Sequence, residues 1–349
     1  MEAKHKEVQE YYGEKLQHSE DLKTNACCTI TAPPSYIISI IDDIHNEVKN
    51  KYYGCGLTIP YELEGLKILD LGSGSGRDCF IASKLVGQKG QVVGIDMTDQ
   101  QLDVANQYID YHTEKFGYKY ANVKFMKGNI DHLDKVELEK ESFDLIISNC
   151  VINLAVNKQK VLNEVFRLLK KGGEMYFSDV YCDRRVPQDL QKDPVLWGEC
   201  LSGALYWNDF LNMAKNAGFI DPRVESSAAI TVENKEVEEK VGDLKFFSVT
   251  YRLFKLDGLE SDCEDYGQSV RYKGSIKGNP ASFNLDDHHN FPTGKMMTVC
   301  GNTYKMLYET RFKDHFEFFG KWDTHYGIYE GCGGNIPFQE KNSSAESCC

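Results

Sequence analysis

The sequence predicts a doubly wound, Rossmann-like α/β fold, and three observations support this class. Ile68, Leu69 and Leu71 form a short apolar run that is typical of a buried strand. Three glycines follow at alternate positions, and a helical apolar pattern begins directly after them. A second apolar run ends in the carboxylate of Asp96, about twenty residues after Gly76. A strand that passes through glycines into a helix allows the backbone to approach a ligand closely.

The glycine loop has the spacing Gly72-x-Gly74-x-Gly76, which is shorter than the G-x-G-x-x-G pattern of dinucleotide-binding loops. An acid after the second strand bonds ribose hydroxyls in folds of this kind, so loop and acid together predict a nucleoside-bearing cofactor. With Asp70 inside the preceding strand, the loop resembles the first motif of S-adenosylmethionine (AdoMet)-dependent methyltransferases. A glycine-rich turn in an unrelated α/β domain is the alternative, and the agreement of loop, strand and acid disfavours it.

Composition and charge exclude several classes of protein. A net charge of -13 disfavours nucleic acid as the main partner, because phosphate binding needs a concentrated basic face. No apolar run approaches the roughly 20 residues of a membrane span, and the charged N-terminus shows no secretory signal, so a cytoplasmic location is expected. Twelve cysteines without a C-x-x-C pair predict buried, catalytic or metal-binding thiols rather than a disulfide framework.

Strands and helices alternate along the middle of the chain, which predicts a parallel sheet with right-handed crossovers. One predicted helix begins with a capping box at Thr98 and Gln101, and another spans 158–170 and is stopped by Gly172 and Gly173. The predicted strands are 67–71, 91–96, 123–126, 143–148 and 174–179, followed by an antiparallel edge near 223–232 and 246–254.

Three regions are predicted from the changes in composition. Residues 1–60 are interpreted as a lid-like extension that carries thiols, and 61–257 as the cofactor-binding core. Within that core, a helical region over 194–218 follows the fifth strand. Residues 258–349 form a small C-terminal α+β domain in this interpretation, with a polar, disordered tail from Lys341.

Ligands of such sheets bind outside the carboxyl ends of the strands. Asp96 is expected on the ribose hydroxyls, Asn129 and Ile130 beside the adenine, and Asn149 near the methionine end of AdoMet. Simple strand-end capping is the alternative for Asp70, Asp96 and Asn129, and their common placement favours cofactor contact. The predicted cofactor-binding residues are Asp70, Gly72, Gly74, Gly76, Asp96, Met97, Asn129, Ile130 and Asn149.

Four cysteines are placed where they can face that cofactor. Cys150 follows the fourth strand, Cys200 lies in the helical region after the fifth, and Cys27 and Cys55 lie in the extension. Thiolates are soft ligands that select soft metals. Core packing is the competing explanation, because cysteine is among the most buried residue types. An apolar helical stripe supports it for Cys200, whereas Cys55 between two glycines is hard to explain as core.

These features together resemble the arsenite (arsenic(III)) S-adenosylmethionine methyltransferases, over about residues 20–256. The matching stretches are Lys23-Thr-Asn-Ala-Cys27, Tyr52-Tyr-Gly-Cys-Gly56, Asp70-Leu-Gly-Ser-Gly-Ser-Gly-Arg-Asp78, Gly94-Ile-Asp-Met-Thr98, Ser148-Asn-Cys-Val-Ile-Asn153 and Trp197-Gly-Glu-Cys-Leu201. The resemblance implies that Cys55, Cys150 and Cys200 bind arsenic(III). It also implies that Cys27 exchanges thiols with Cys55, although the adjacent Cys28 leaves open which of the two does so.

The resemblance further implies a class I AdoMet-dependent methyltransferase that methylates arsenic(III) supplied as thiol conjugates. Such enzymes use a thiol reductant such as glutathione or thioredoxin, and we expect a monomer with no nucleic-acid or membrane partner. Two alternatives stay open. One is a small-molecule C- or O-methyltransferase of the ubiquinone-biosynthesis type, and the other is a thiol-rich metalloid-binding protein without turnover.

Overall fold

The computed structural model describes residues 33–52, 54, 56–193, 196–197, 200–231 and 234–332. The large sheet consists of β1 (Lys67–Leu71), β2 (Gln91–Asp96), β3 (Val123–Lys127), β4 (Phe143–Asn149), β5 (Leu169–Cys182), β6 (Leu205–Tyr206), β7 (Arg223–Ala229) and β8 (Phe246–Phe254). The helices around it are α1 (Ser35–Asp43), α2 (Asn46–Asn50), α3 (Arg77–Val86), α4 (Asp99–Gln107), α5 (Ile109–Lys115), α6 (Lys158–Leu168), α7 (Trp207–Ala217) and α8 (Lys235–Val241).

The strands of this sheet follow the order β3-β2-β1-β4-β5-β8-β7, and β6 pairs with β5. Strands β1 to β5 run parallel to one another, whereas β8 is antiparallel to both β5 and β7. The predicted doubly wound parallel sheet with an antiparallel edge is therefore confirmed. Parallel pairing also places the carboxyl ends of β1, β2 and β4 along one edge of the sheet.

Two apolar layers bury the two faces of the sheet. Successive side chains of a strand point to opposite faces, so Leu69 and Leu71 pack in one cluster and Ile68 in the other. Helices α6 and α7 cover the Leu69 face, while α1 and α3 cover the Ile68 face. The described part of the N-terminal extension thus packs directly on the core through α1, and its predicted boundary at residue 60 stays a prediction.

Three local predictions were wrong. Helix α6 ends at Leu168, and the glycines predicted to stop it lie inside β5, where the Gly172 N–H donates to Lys255 O at 2.9 Å. Helix α4 begins after Thr98, but the Thr98 side chain makes no capping hydrogen bond. Cys200 is not helical, because its backbone adopts a left-handed φ of 61° in a turn.

The described part of the C-terminal region contains several short strands, one α-helix and one 3-10 helix around its own apolar cluster. Its three small sheets have the orders β13-β10-β14, β11-β12 and β15-β9. Its elements are β9 (Glu264–Asp265), β10 (Gln268–Tyr272), β11 (Ser282–Asn284), β12 (Asn290–Pro292), β13 (Met296–Val299), α9 (Gly301–Tyr308), β14 (Phe316–Phe319) and β15 (Gly327–Ile328). Within the described ranges, no helix has both the length and the apolar character needed to cross a bilayer.

A buried ion triad joins this region to the large sheet. Arg252 donates to both carboxylate oxygens of Glu174 at 2.7 and 3.0 Å, and Arg311 Nη1 donates to Oε2 at 2.6 Å. Arg252 also donates to Leu285 O at 2.9 Å, and Arg311 Nε to Tyr61 O at the same distance. Burial alone would raise the pKa of Glu174, but the two guanidinium charges lower it below its ordinary value. The carboxylate is therefore ionised and holds two arginines from different parts of the chain.

We predict that Glu174→Gln strongly destabilises the fold. The substitution leaves two buried guanidinium groups without a counter-ion, which costs about 3–5 kcal/mol of unfolding free energy. Urea denaturation followed by circular dichroism measures the change. Lys171→Gln is the matched control, because it breaks a pair with Asp257 whose side chains are 63% and 82% exposed, and we expect no measurable effect. Equal stability of Glu174→Gln and the wild type would contradict the role assigned to the triad.

Candidate functional site

The glycine loop turns the chain sharply between β1 and α3. Gly72 and Gly76 have φ values of 74° and 90°, which side chains rarely adopt. A Cβ at Gly72 would lie 2.4 Å from the Val151 side chain, and one at Gly76 would lie 2.6 Å from the ring of Phe125. Glycine at these positions is therefore required by both backbone conformation and space.

Asp96, at the end of β2, is oriented by backbone amides. Gly74 N–H donates to its Oδ2 at 2.9 Å, and Thr98 N–H donates to its Oδ1 at 2.8 Å. Burial raises the pKa of Asp96, and these amide hydrogen bonds act against that rise. The carboxylate therefore holds the glycine loop against the second strand while it lines the adjacent cleft.

Two further carboxyl groups lie close together beside that loop. Asp70 and Asp78 are 3% and 5% exposed, and the Cys79 thiol donates to Asp70 Oδ2 at 3.2 Å. Burial, and then the negative charge of Asp78, raise the pKa of Asp70 to about 8. Burial also raises the pKa of Asp78, although Arg77 opposes this. The Asp70 carboxyl consequently carries a proton at neutral pH while no cation is bound beside it.

Asn149 connects the fourth strand to the N-terminal segment. Its Nδ2 donates to Tyr52 Oη at 2.6 Å, to Gly56 O at 3.0 Å and to Asp78 Oδ2 at 3.0 Å. The guanidinium of Arg77 lies over the Tyr52 ring at 3.8 Å from its centroid. These contacts hold Tyr52 and Gly56 beside Asn149, and Tyr52 forms part of one wall of the cleft.

The residues after β3 form the opposite wall. Asn129 Oδ1 accepts the Asp131 N–H at 2.9 Å and so caps a short 3-10 helix, Ile130–Lys135. The capping alternative for Asn129 therefore holds for its side-chain oxygen, although the residue also lines the cleft. Asp131 accepts the N–H groups of Val156 and Asn157 at 3.0 and 2.7 Å, and this fixes the loop after β4.

Most of the residues predicted to contact the cofactor line a single cleft with an empty volume of about 950 Å³, open to solvent. Gly76 does not line it, since this residue begins helix α3 instead. The predicted residues that do line it are Asp70, Gly72, Gly74, Asp96, Met97, Asn129, Ile130 and Asn149.

The structure brings Cys150 and Cys200 together beside this cleft. The Cys200 thiol donates to the backbone carbonyl of Cys150 at 3.3 Å, and the two residues belong to one apolar cluster. Cys150 also lines the cleft, and its N–H donates to Ser178 O at 2.9 Å. Contact between the two residues therefore places Cys200 next to a residue of the cleft wall, although the two positions are 50 apart in the sequence.

Both cysteines have strained backbones. Their φ values are 56° and 61°, in the left-handed region that non-glycine residues seldom occupy. Such a conformation costs roughly 1–3 kcal/mol and tends to occur at functional sites. At Cys150 the strain occurs directly after β4, where the chain turns so that the residue borders the cleft.

The oxidation states of these two sulfur atoms differ. Cys200 forms no disulfide, whereas Cys150 is disulfide-bonded. The free cysteines of the described part are Cys79, Cys182, Cys200, Cys263, Cys300 and Cys332, so none of them is the partner of Cys150. Cys27, Cys28 and Cys55 lie outside the described residues. Among the residues that are described, no three His, Cys, Asp or Glu side chains form a metal-binding group.

Several cleft residues were missed in the sequence. Asp78, Tyr52, Gln101 and Asp131 all line the cleft, and none of them was among the predicted site residues. Asp78 had a signal, because a carboxylate in the first turn of a helix that follows a glycine loop faces back toward the strand end. Tyr52 had none, since only tertiary packing brings its segment to the loop.

This sheet order, with a glycine loop and an acid at the ends of its first two strands, defines an AdoMet-dependent methyltransferase fold. A family model for a methyltransferase domain matches residues 62–218, and a model for the arsenite methyltransferase C-terminal domain matches residues 266–335. The chain belongs to the arsenite methyltransferase family. It is 54% identical over 347 residues to the arsenite methyltransferase of Aquipseudomonas alcaligenes, which covers 99% of this chain and 100% of that protein.

Two further relatives agree with this assignment. The mouse arsenite methyltransferase is 50% identical over 317 residues, which cover 90% of this chain and 83% of that protein. The crystal structure of CrArsM, an arsenic(III) S-adenosylmethionine methyltransferase from Chlamydomonas reinhardtii, is 50% identical and superposes with a TM-score of 0.83. That match covers 86% of this chain and 100% of the other.

The family implies AdoMet as the cofactor, and the residues of the cleft fit it. AdoMet carries a sulfonium and an ammonium group against one carboxylate, so a cleft with the carboxyl groups of Asp70, Asp78 and Asp96 is electrostatically suited to it. The Ser73 hydroxyl is buried in the cleft wall without a hydrogen-bond partner among the described residues, so it is available to a ligand.

We predict that Asp70 makes the ligand-free protein less stable as the pH rises. Its folded pKa of about 8 lies above its ordinary value of 3.8, so the folded state keeps a proton that the unfolded chain releases between these values. The contribution of Asp70 to the free energy of unfolding therefore falls as the pH rises from about 4 toward 8. Above pH 8 this contribution changes little. Asp70→Asn should remove this dependence in urea titrations between pH 5 and 8.

Asp103→Asn, on the exposed side of α4, is the control and should keep the wild-type pH dependence. If Asp70→Asn also keeps it, then the proton is not held on Asp70 in the folded protein.

Proposed function

We propose that this chain transfers a methyl group from AdoMet to trivalent arsenic held by the sulfur atoms of Cys55, Cys150 and Cys200. The observation that carries the proposal is the convergence of Cys150 and Cys200 beside the cofactor cleft, each in a strained left-handed backbone. Core packing alone does not account for strain at both positions, because cysteine in an ordinary conformation would fill the same space.

Bound AdoMet would supply the methyl group as an electrophilic carbon on a sulfonium, which the lone pair of thiolate-bound arsenic can attack. The chain contributes mainly positioning. Asp96 is expected on the ribose hydroxyls, with Asn129 and Ile130 beside the adenine and Asn149 toward the methionine end. The apolar cluster around Cys150 and Cys200 excludes water from the acceptor. No general base is required, because the arsenic lone pair carries no proton.

The proposed route from thiol conjugate to bound arsenic uses Cys27 as well. Arsenic(III) would arrive on small-molecule thiols and exchange onto the cysteines, with Cys27 or Cys28 exchanging with Cys55. These exchanges depend on thiolates, so they should become faster as the pH rises through the thiol titration. We also propose that the protein is a cytoplasmic monomer. Its products would be mono- and dimethylated arsenic.

The disulfide at Cys150 supports a requirement for a reductant. A sulfur atom in a disulfide offers no thiolate to arsenic, so two electrons must enter before Cys150 can act as a ligand. Exchange with two external thiols supplies them and releases one oxidised disulfide. Glutathione and thioredoxin are the proposed reductants of this chain.

We predict that Cys200→Ser abolishes most arsenite methylation while AdoMet affinity is retained. A hydroxyl is a poor ligand for a soft atom, so the loss should exceed the roughly 10–100-fold that removal of an outer-shell partner costs. The measurement is transfer of label from methyl-labelled AdoMet to arsenic species. Cys182→Ala, in the same apolar cluster, is the control and should keep activity. Full arsenite methylation by Cys200→Ser would rule out Cys200 as a ligand.

We predict that protein with an intact Cys150 disulfide gives no labelled product until thiols are added. Reduction must precede arsenic binding if Cys150 is a ligand, whereas AdoMet binding needs no reduction. Parallel reactions with no thiol, with glutathione and with reduced thioredoxin distinguish the two reductants. Turnover at the same rate in all three, with the disulfide still present by mass spectrometry, would show that Cys150 does not bind the substrate.

A further inference from the structure

A second group of cysteines lies in the C-terminal region, away from the cofactor cleft. The sulfur atoms of Cys263 and Cys332 are 2.7 Å apart, and both cysteines are half-buried free thiols. Cys300 is buried beside them and is hydrogen-bonded to Cys263. Three thiols from positions 263, 300 and 332 are thus in contact, although 69 residues separate the outer two.

We propose that Cys263 and Cys332 are a redox-active dithiol that closes to a disulfide by exchange with a small-molecule disulfide, with Cys300 as the positioned base. This inference does not rest on the proposed methylation of arsenic, since it concerns different sulfur atoms and needs no AdoMet.

The backbone holds the two outer thiols in place. Strand β15 pairs antiparallel with β9, and the Tyr329 N–H extends the pairing by donating to Cys263 O at 2.7 Å. The chain then turns back, since Cys332 N–H donates to Tyr329 O at 3.1 Å. A disulfide needs a sulfur–sulfur bond of about 2.05 Å, so closure requires a movement of less than about 1 Å. The folded backbone therefore brings the pair close to a bonded geometry already.

Cys300 is in an environment that favours a thiolate. It is the N-cap of α9, where its sulfur accepts the Thr303 N–H at 3.5 Å, and Arg223 Nη2 lies 3.9 Å away. Arg223 is itself held by Asp221 at 2.6 Å and by Asp286 at 3.0 Å. The hydrogen bond from Cys263, opposed by burial and assisted by Arg223, lowers the pKa of Cys300 to about 5. The same hydrogen bond, and then burial, raise the pKa of Cys263, so the proton stays on Cys263 at rest and Cys300 is its neighbouring acceptor when the Cys263 sulfur attacks.

The exchange balances in two steps. Cys332 first loses its proton to solvent, and its sulfur attacks one sulfur of the small-molecule disulfide, forms a mixed disulfide and releases one thiolate. Cys263 then gives its proton to Cys300 and attacks the Cys332 sulfur, which forms the internal disulfide and releases the second thiolate. Two cysteine thiols are oxidised and one external disulfide is reduced to two thiols, with the protons passing to those products.

Closure should alter the C-terminal region itself. The disulfide would join the start of β9 to the segment after β15, and so enclose nearly all of the residues between them. Cross-links that close long loops stabilise mainly by restricting the unfolded chain, so oxidation should raise the temperature of unfolding. The same bond would hold the β15 segment against the body of the region.

The experiment uses the full-length protein, fully reduced and freed of reductant without oxygen. Oxidised glutathione is added, samples are quenched with acid and N-ethylmaleimide, and peptide mass spectrometry identifies each cysteine product with time. We expect a peptide cross-linked between Cys263 and Cys332 in the wild type. In Cys263→Ser, Cys332 should accumulate instead as a mixed disulfide with glutathione. The control Cys182→Ala should cross-link at the wild-type rate.

Cys300→Ala tests the role of the base. Cross-linking should reach the same final extent but at least about 10-fold more slowly, because the proton of Cys263 has lost its acceptor. An unchanged rate would overturn the role of Cys300. Wild-type protein in which Cys263 and Cys332 stay alkylated or separately glutathionylated, with no cross-link, would overturn the dithiol. AdoMet binding measured on the same samples should be unaffected, so a failure here is distinguishable from a failure of the methylation proposal.

Discussion

The parallel pairing of β1 with β2 and β4 is the constraint on which the site depends. Parallel strands end at the same edge of a sheet, and the residues at that edge meet whatever their separation in sequence. Asp70, Asp96 and Cys150 come from three different strand ends and border one cleft for this reason. The glycine loop adds backbone amides to the same edge, and its Gly74 N–H orients the second carboxylate.

Charge and strain then give the cleft its chemical character. Burial of Asp70 beside Asp78 keeps the Asp70 carboxyl group protonated. A cationic ligand would favour the ionised form, so ligand binding and the release of this proton are linked. On the other side of the cleft, left-handed backbones at Cys150 and Cys200 hold two cysteines together at a cost in stability. Carboxyl groups suited to a cationic ligand thus lie in the same cleft as Cys150, which contacts Cys200.

The C-terminal region is tied to this core by charge. Glu174 lies on β5, and its bonds to Arg252 and Arg311 are buried, so the large sheet and the C-terminal region stabilise each other. That region also contains a dithiol of its own at Cys263 and Cys332. Cysteines of the described residues therefore meet in two separate places, one beside the cleft and one in the C-terminal region.

The sequence by itself determined the fold class, because the apolar runs and the glycine loop indicate which backbone conformation each short segment favours. It also indicated the strand-end residues of the cleft, since the carboxyl ends of parallel strands always converge. The predicted end of α6 was wrong, because Gly172 and Gly173 belong to β5. There the Gly172 N–H donates to Lys255 O, far along the chain. The resemblance implied that Cys150 and Cys200 act together, but only the tertiary structure showed their contact, the triad around Glu174 and the dithiol in the C-terminal region. Contacts across 50 to 137 residues depend on how packed elements meet, and no local pattern encodes them.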